Sequence, residues 1–142
     1  MSKSIFIESK IGKDVMGVLN NPDSVSFFYV SPKRSFPHYA VITPEILLSN
    51  ELKLELHKLL MNDDHYVKEI SKLTIFLPTI GFQFHKENMG DLIVLLSPAG
   101  DQLKIIEKDQ KDGSTLILDY DPAKIGFDSF MQKLENKYPH NL

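Results

Sequence analysis

The chain contains no cysteine. Disulfide bonds, thiolate metal sites and thiol nucleophiles are therefore excluded, and the lack of disulfides favours a reducing compartment such as the cytoplasm. No apolar run approaches the roughly 18 residues that a membrane-spanning helix needs. Charges at Lys3, Glu8 and Lys10 interrupt the start of the chain, so no secretory signal peptide is expected. We predict a cytoplasmic protein that does not enter a membrane.

The chain also lacks an excess of positive charge. Its formal net charge is −3, and its one arginine is Arg34. Nucleic-acid binding without sequence preference needs a basic face, so no nucleic-acid partner is expected. A glycine-rich phosphate loop is missing as well, because Gly12 and Gly17 flank an apolar helical stretch and do not join a strand to a helix. We predict no cofactor.

The histidines lack the spacing of a metal site. Two ligands four residues apart on one helix are typical of such sites, and no histidine pair here has that separation. The five histidines are His38, His57, His65, His85 and His140. The chain has no G-x-S-x-G nucleophile motif, and its acidic residues look dispersed with lysines between them. These patterns predict neither a catalytic residue nor a metal site.

Length and composition indicate one folded unit. The 142 residues, 42% apolar and 25% charged, fit a single globular domain covering 1–142. The most regular pattern lies between Leu73 and Tyr120, where Ile80, Phe82 and Phe84 alternate with small or polar residues. A period of two places those three side chains on one face of a strand.

Further strands are predicted along the same stretch. Leu92–Leu96 is apolar on both faces, which places it near the middle of a sheet. Lys104 suggests that the next strand is partly exposed, and Gly90 is expected to supply positive φ in the turn before Leu92. The predicted strands are Ser24–Val30, Leu73–Pro78, Ile80–His85, Leu92–Leu96, Leu103–Glu107 and Ser114–Tyr120, with a hairpin turn at Asp112-Gly113.

Helix signals occur on both sides of these strands. A helix over Gly12–Asn20 stops at an Asn-Asn-Pro sequence, and Ile5–Glu8 before it is interpreted as a short strand or an ordered chain end. Ser49 is favoured over Thr43 as the cap of a leucine-rich helix that runs to about Asn62.

The last helix is predicted to start at Asp121-Pro122, with Asp121 as its cap, and to end before Pro139. Because short loops favour antiparallel neighbours, the elements predict an α+β fold. It consists of a largely antiparallel sheet of about five to six strands with two to three helices packed on one face.

One loop collects residue types that are common at binding sites. Ser31–Tyr39 has two prolines that would hold it partly preorganised, and arginine and aromatic side chains are enriched at binding hot spots. The alternative interpretation is a simple strand connection with a solvated charge pair and Phe36 in the core. The candidate binding residues are Lys33, Arg34, Phe36, His38 and Tyr39.

The strand pattern resembles that of a set of small uncharacterised bacterial proteins. The resemblance lies in the K-L-T-x-F-x-P-x-x-G-F-x-F sequence of Lys72–Phe84 and in Asp91–Ile105. It implies a shared strand order and a bacterial protein, and it implies no activity. Cysteines are common in those proteins near the positions of Thr74 and Ser97, so the absence of cysteine here excludes a thiol-based role.

These observations favour a non-catalytic protein-binding module with a protein partner. A toxin-immunity-type inhibitor is one form of this hypothesis, and it requires a clustered acidic patch that complements a basic surface. An enzyme or small-ligand-binding protein is the second hypothesis, with a site assembled only in the fold, for example a pocket lined by His38, Tyr39 and His85. A homo-oligomer built through a strand edge or an apolar helix face is the third.

Overall fold

The computed structural model describes residues 5–31, 40–67, 76–107 and 115–139, in which three helices pack on an antiparallel sheet. The helices are α1 (Ile5–Asn20), α2 (Asn50–Leu60) and α3 (Lys124–Lys137). The strands are β1 (Ser24–Ser31), β2 (Ala40–Val41), β3 (Ile46–Leu47), β4 (Ile80–His85), β5 (Leu92–Ser97), β6 (Gln102–Glu107) and β7 (Thr115–Asp119). Single 3-10 turns cover Asp63–His65 and Asp121–Ala123. The predicted α+β class is confirmed.

The sheet runs in the order β2-β1-β4-β5-β6-β7, and β3 also pairs with β1. Every pairing is antiparallel. Strands β4 to β7 form a meander, which is what short connections favour. All six residues of β5 are buried. The prediction that Leu92–Leu96 lies in the middle of the sheet is therefore confirmed.

The main hydrophobic core lies between the sheet and the three helices. Alternate strand residues such as Phe27, Phe82 and Val94 enter it, and α3 contributes Phe127 and Leu134. Every buried apolar helix residue belongs to this one core, so the helices cover a single face of the sheet. A smaller cluster occupies the opposite face and consists of Phe28, Val30, Ile93 and Leu95 with Phe76 packed against it.

The prediction that Ile5–Glu8 is a strand or a plain chain end is wrong, because these residues form the start of α1. The helix contains a kink at Gly12, where φ is 84°. The Asp63 carboxylate accepts hydrogen bonds from the amides of Phe6 and Ile7 at 2.8 and 3.1 Å. An acceptor more than fifty residues away thus satisfies amides of the first turn, which have no partner within the helix. No local pattern reveals such a contact.

Lys104 is not partly exposed as predicted, since only 4% of its surface is accessible. Its ammonium lies over the Phe76 ring, 4.6 Å from the ring centre. Burial lowers the pKa of this lysine, because the charged form loses hydration. The negative face of the Phe76 ring attracts the Lys104 ammonium and replaces part of its lost hydration. This contact explains how the lysine can be buried on the side of the sheet opposite the helices.

Several element ends also differ from the predictions. Ser49 caps α2 as expected, with its hydroxyl 3.3 Å from the Leu52 amide, but α2 ends at Leu60. A 3-10 turn precedes α3, and the Asp121 amide donates to the Asp119 carboxylate, so Asp121 is not the predicted helix cap. α3 ends before Pro139 as predicted.

Two predicted strand features fall partly or wholly outside the described ranges. The predicted strand Leu73–Pro78 is not confirmed where the structure describes it, because residues 76–79 are not in a strand. Residues 73–75 lie outside the described part. The predicted turn Asp112-Gly113 also lies outside it.

The turn before β5 has its positive φ at Asn88, 67°, and not at Gly90 as expected. Asparagine is among the residues that adopt this conformation most readily.

Candidate functional site

The loop that the sequence singles out is not part of the described structure. Lys33, Arg34, Phe36, His38 and Tyr39 all lie outside the described ranges. Their role in binding stays a prediction, as does a pocket lined by His38, Tyr39 and His85. The described residues instead place two surface depressions beside the second segment of α1, the part that follows the kink at Gly12.

The first depression, the acidic cleft, has a volume of about 230 Å³. Three acidic residues line it, Asp14 on α1, Asp91 before β5 and Glu107 at the end of β6. Its apolar surface comes from the second segment of α1, from the β4–β5 turn and from the first residue of β5. The remaining lining residues are Val15, Val18, Asn88, Met89, Gly90 and Leu92.

A hydrogen-bonded pair orders one wall of the acidic cleft. The Asp91 carboxylate lies 2.8 Å from Nδ1 of His85 and, with its other oxygen, accepts from the Gln83 side-chain amide at 2.8 Å. His85 and Gln83 project from the same face of β4, as the period of two requires. The hydrogen bond to Asp91, followed by the charges of Asp91, Asp23 and Glu87, raises the pKa of His85.

Five carboxylates consequently meet at one end of the sheet. Asp14, Asp91 and Glu107 line the acidic cleft, and Asp23 and Glu87 are near enough to His85 to favour its charged form. Asp23 also accepts from the Glu87 amide at 2.6 Å, which fixes the turn to the start of β1. In the sequence these residues look dispersed. The antiparallel register brings them together, so the fold supplies the acidic cluster that the sequence does not reveal.

The acidic end lacks the geometry of a hydrolytic site. Ser24 is the cross-strand partner of His85, which places serine, histidine and aspartate in a row. In the described part of the chain, however, no hydrogen bond joins the Ser24 hydroxyl to the His85 ring. Among the described residues there is also no group of three or more His, Cys, Asp or Glu side chains arranged to hold a metal ion. The carboxylates can therefore attract a cationic group.

The second depression, the amide groove, has a volume of about 340 Å³ and lies on the other side of the same α1 segment. Its apolar lining comes from α1, β1, β4 and α2, and its polar lining consists of three asparagines, one lysine and one histidine. The lining residues are Leu19, Asn20, Asn21, Pro22, Val25, Asn50, Lys53, Leu54, His57 and Phe84. Nε2 of His57 lies 2.9 Å from the Asn20 side-chain oxygen, and partial burial lowers the pKa of His57.

A further group of buried polar residues lies on the sheet face opposite the helices. Ser97, Gln102 and Asp119 stand side by side across β5, β6 and β7. The Ser97 hydroxyl accepts from the Leu77 amide at 2.9 Å, and Gln102, Lys104 and Asp119 also have partners. These residues line neither depression, so their contacts are best explained as support for this face of the sheet.

Comparison with known proteins adds no relative. The chain matches no protein-family model, no curated protein and no solved structure. The resemblance to small bacterial proteins therefore stays a prediction. Within the described ranges, no helix combines the length and the apolar character needed to cross a bilayer.

Proposed function

We propose that this protein is a non-catalytic binding module whose partner is a protein with a basic surface, and that the acidic cleft receives a cationic side chain of that partner. The observation that carries the proposal is a cleft lined by three acidic residues, with two further carboxylates near His85 at the same end of the sheet. A toxin-immunity-type inhibitor would need a clustered acidic patch, and the acidic residues at this end of the sheet support that form of the proposal.

The lining of the cleft suits a long cationic side chain. An arginine or lysine has an apolar stem and a charged end, and the stem can pack on apolar surface while the end reaches an acidic group. Met89 is partly exposed and offers that surface, and Asp14 and Glu107 offer the charge. Arginine can also bind a carboxylate with two parallel hydrogen bonds. Complementary charge of this kind speeds encounter and selects the partner.

Affinity capture with three variants tests the proposal. The tagged protein, in lysate of the cells that produce it, is compared with Asp14→Asn/Glu107→Gln, which neutralises the cleft. The control is Glu45→Gln/Glu51→Gln, which removes the same charge from two exposed residues that do not line the cleft. The third variant, Arg34→Ala/Phe36→Ala, tests the loop.

We expect the cleft variant to lose at least about tenfold in affinity for the captured protein, because each charged contact to a partner is worth about 1.5–3 kcal/mol. The control variant should bind as tightly as the unmodified protein, and the captured protein should be basic. Loss of binding only in the loop variant would contradict the acidic cleft as the contact surface and would support the loop instead.

A further inference from the structure

The amide groove differs from the acidic cleft in charge, although one helix segment separates them. No carboxylate lines the amide groove, whereas Lys53 contributes a permanent cation and His57 an ionisable group. Asn50 and Lys53 lie in the first turn of α2, where the helix dipole favours an anion. Glu55, on another side of α2, is paired with Lys133 at 2.6 Å and does not line the groove. Glu51, in the same first turn, is exposed and does not line the groove either, so the charge of the lining itself favours a negative ligand group.

The apolar part of the groove reaches the main core. Leu19, Val25 and Phe84 are buried core residues that also line the groove. Leu54 lines the groove with 55% of its surface exposed, so it offers apolar surface that a ligand can cover. A volume of about 340 Å³ falls within the usual range of small-molecule sites, roughly 300–1,000 Å³.

The polar groups of the groove are held in place by the fold. Asn20 contacts the His57 ring at 2.9 Å, so the end of α1 and the middle of α2 are joined across the groove. The Asn21 carbonyl accepts from Lys86 at 2.7 Å, and the Asn21 amide donates to Gly17 at 3.1 Å. The walls are thus ordered without a ligand, which reduces the entropy that binding would cost.

We propose that the amide groove binds a small carboxylate with an apolar body, with the carboxylate on Lys53 and the apolar body against Leu54 and Pro22. This site does not depend on the basic protein partner of the acidic cleft. The asparagine side chains of the groove can donate further hydrogen bonds to the carboxylate oxygens. A few convergent polar groups over an apolar surface are typical of ligand sites that have both affinity and specificity.

An NMR titration tests this inference. Octanoate and octanamide are each added to the ¹⁵N-labelled protein, since the two molecules share the apolar body and differ in charge. We expect octanoate to shift the amide signals of Asn20, Asn21, Lys53 and Leu54 and to bind at least about tenfold more tightly than octanamide. Equal binding of both molecules, or shifts at other residues, would overturn the proposal.

Two matched lysine variants of α2 provide the control. Lys53→Gln removes the cation that lines the groove, whereas Lys58→Gln removes an exposed cation of the same helix outside the groove. Octanoate affinity should fall about tenfold in the first variant and stay unchanged in the second.

A tripeptide that ends in leucine and has a free carboxylate tests whether the groove is instead a peptide site. If it binds more than tenfold more tightly than octanoate, the groove is a peptide site and the proposal is wrong.

Discussion

At the scale of single residues, the contact between His85 and Asp91 decides the charge of the acidic end. The hydrogen bond and the Asp91 charge stabilise the protonated ring, so the pKa of His85 lies above its ordinary value of 6.5. Because the folded-state value is the higher one, the pair stabilises the fold below about pH 6.5. This contribution is lost as the pH rises through the folded-state pKa.

We therefore expect an NMR titration of the ring protons to give His85 a pKa above 6.5. Asp91→Asn should lower it, because the charge and the strongest acceptor are both removed. Asp23 and Glu87 remain and still favour the protonated ring, so part of the increase should survive. An unchanged pKa in the variant would show that Asp91 does not control this histidine.

Two buried tyrosines offer a matched test of hydrogen bonding in the core. The Tyr66 hydroxyl donates to the Leu60 carbonyl at 2.7 Å, whereas the buried hydroxyl of Tyr120 has no hydrogen-bond partner in the described structure. Burial, followed by the charges of Asp101 and Asp128, raises the pKa of Tyr120, so its hydroxyl keeps its proton. A satisfied buried group contributes to stability, and an unsatisfied one costs free energy.

Urea denaturation should therefore separate the two phenylalanine variants. Tyr66→Phe is expected to reduce the free energy of unfolding by about 1 kcal/mol, because it removes one hydrogen bond and leaves a carbonyl unpaired. Tyr120→Phe is expected to leave it unchanged or to raise it, because only an unpaired hydroxyl is lost. Equal destabilisation by both changes would contradict this assignment of the two hydroxyls.

At the scale of elements, two glycines show how a strand and a helix differ in their tolerance of a methyl group. A Cβ added at Gly81 in β4 would lie 2.7 Å from the Phe28 ring and 3.0 Å from the Leu95 side chain. A Cβ at Gly17 in α1 would have nothing within 4 Å. The strand position is crowded on the face opposite the helices, whereas the helix position is open.

Gly81→Ala should accordingly lower the free energy of unfolding by about 1–3 kcal/mol, the usual cost of overpacking a well-packed core. Gly17→Ala should raise it by up to about 1 kcal/mol, because alanine favours a helix more than glycine does. Urea denaturation of the two variants measures both effects. A stable Gly81→Ala protein would mean that Phe28 and Leu95 can move aside at little cost.

The elements with a strong local pattern could be predicted from the sequence. Alternation in Ile80–His85 and apolar residues on both faces of Leu92–Leu96 define β4 and the central β5. The first half of α1 could not be predicted as a helix, because the acceptor for its first amides, Asp63, is more than fifty residues away in the sequence. The burial of Lys104 was also missed, because the ring that covers it comes from another segment.

Neither depression could be predicted, for the same physical reason. The carboxylates of the acidic cleft come from Asp14, Asp91 and Glu107, and only the strand register and the position of α1 bring them together. The amide groove likewise combines the end of α1 with α2 and β4. The Asn20-Asn21-Pro22 sequence predicts the end of a helix, but it does not predict that the residues of this helix end line a groove.

At the scale of the whole molecule, the two edges of the described sheet are built differently. The β1 edge is covered by β2 and β3, which are two residues each, and the Asp119 carbonyl on β7 accepts from the Val67 amide at 2.9 Å. Short or occupied edges are how proteins avoid pairing with a second copy. The acidic end combines several carboxylates with an apolar cleft, and His85 is the basic group paired with one of them.

The most direct test of the acidic cleft is an NMR titration with two capped pentapeptides, one with an arginine between two leucines and one with citrulline in its place. The arginine peptide should shift the amide signals of Val15, Asn88, Met89 and Leu92, and its binding should weaken with added salt. The citrulline peptide keeps the shape without the charge and should bind at least about tenfold more weakly. Equal affinity for the two peptides, or shifts away from these residues, would contradict a cation-binding cleft.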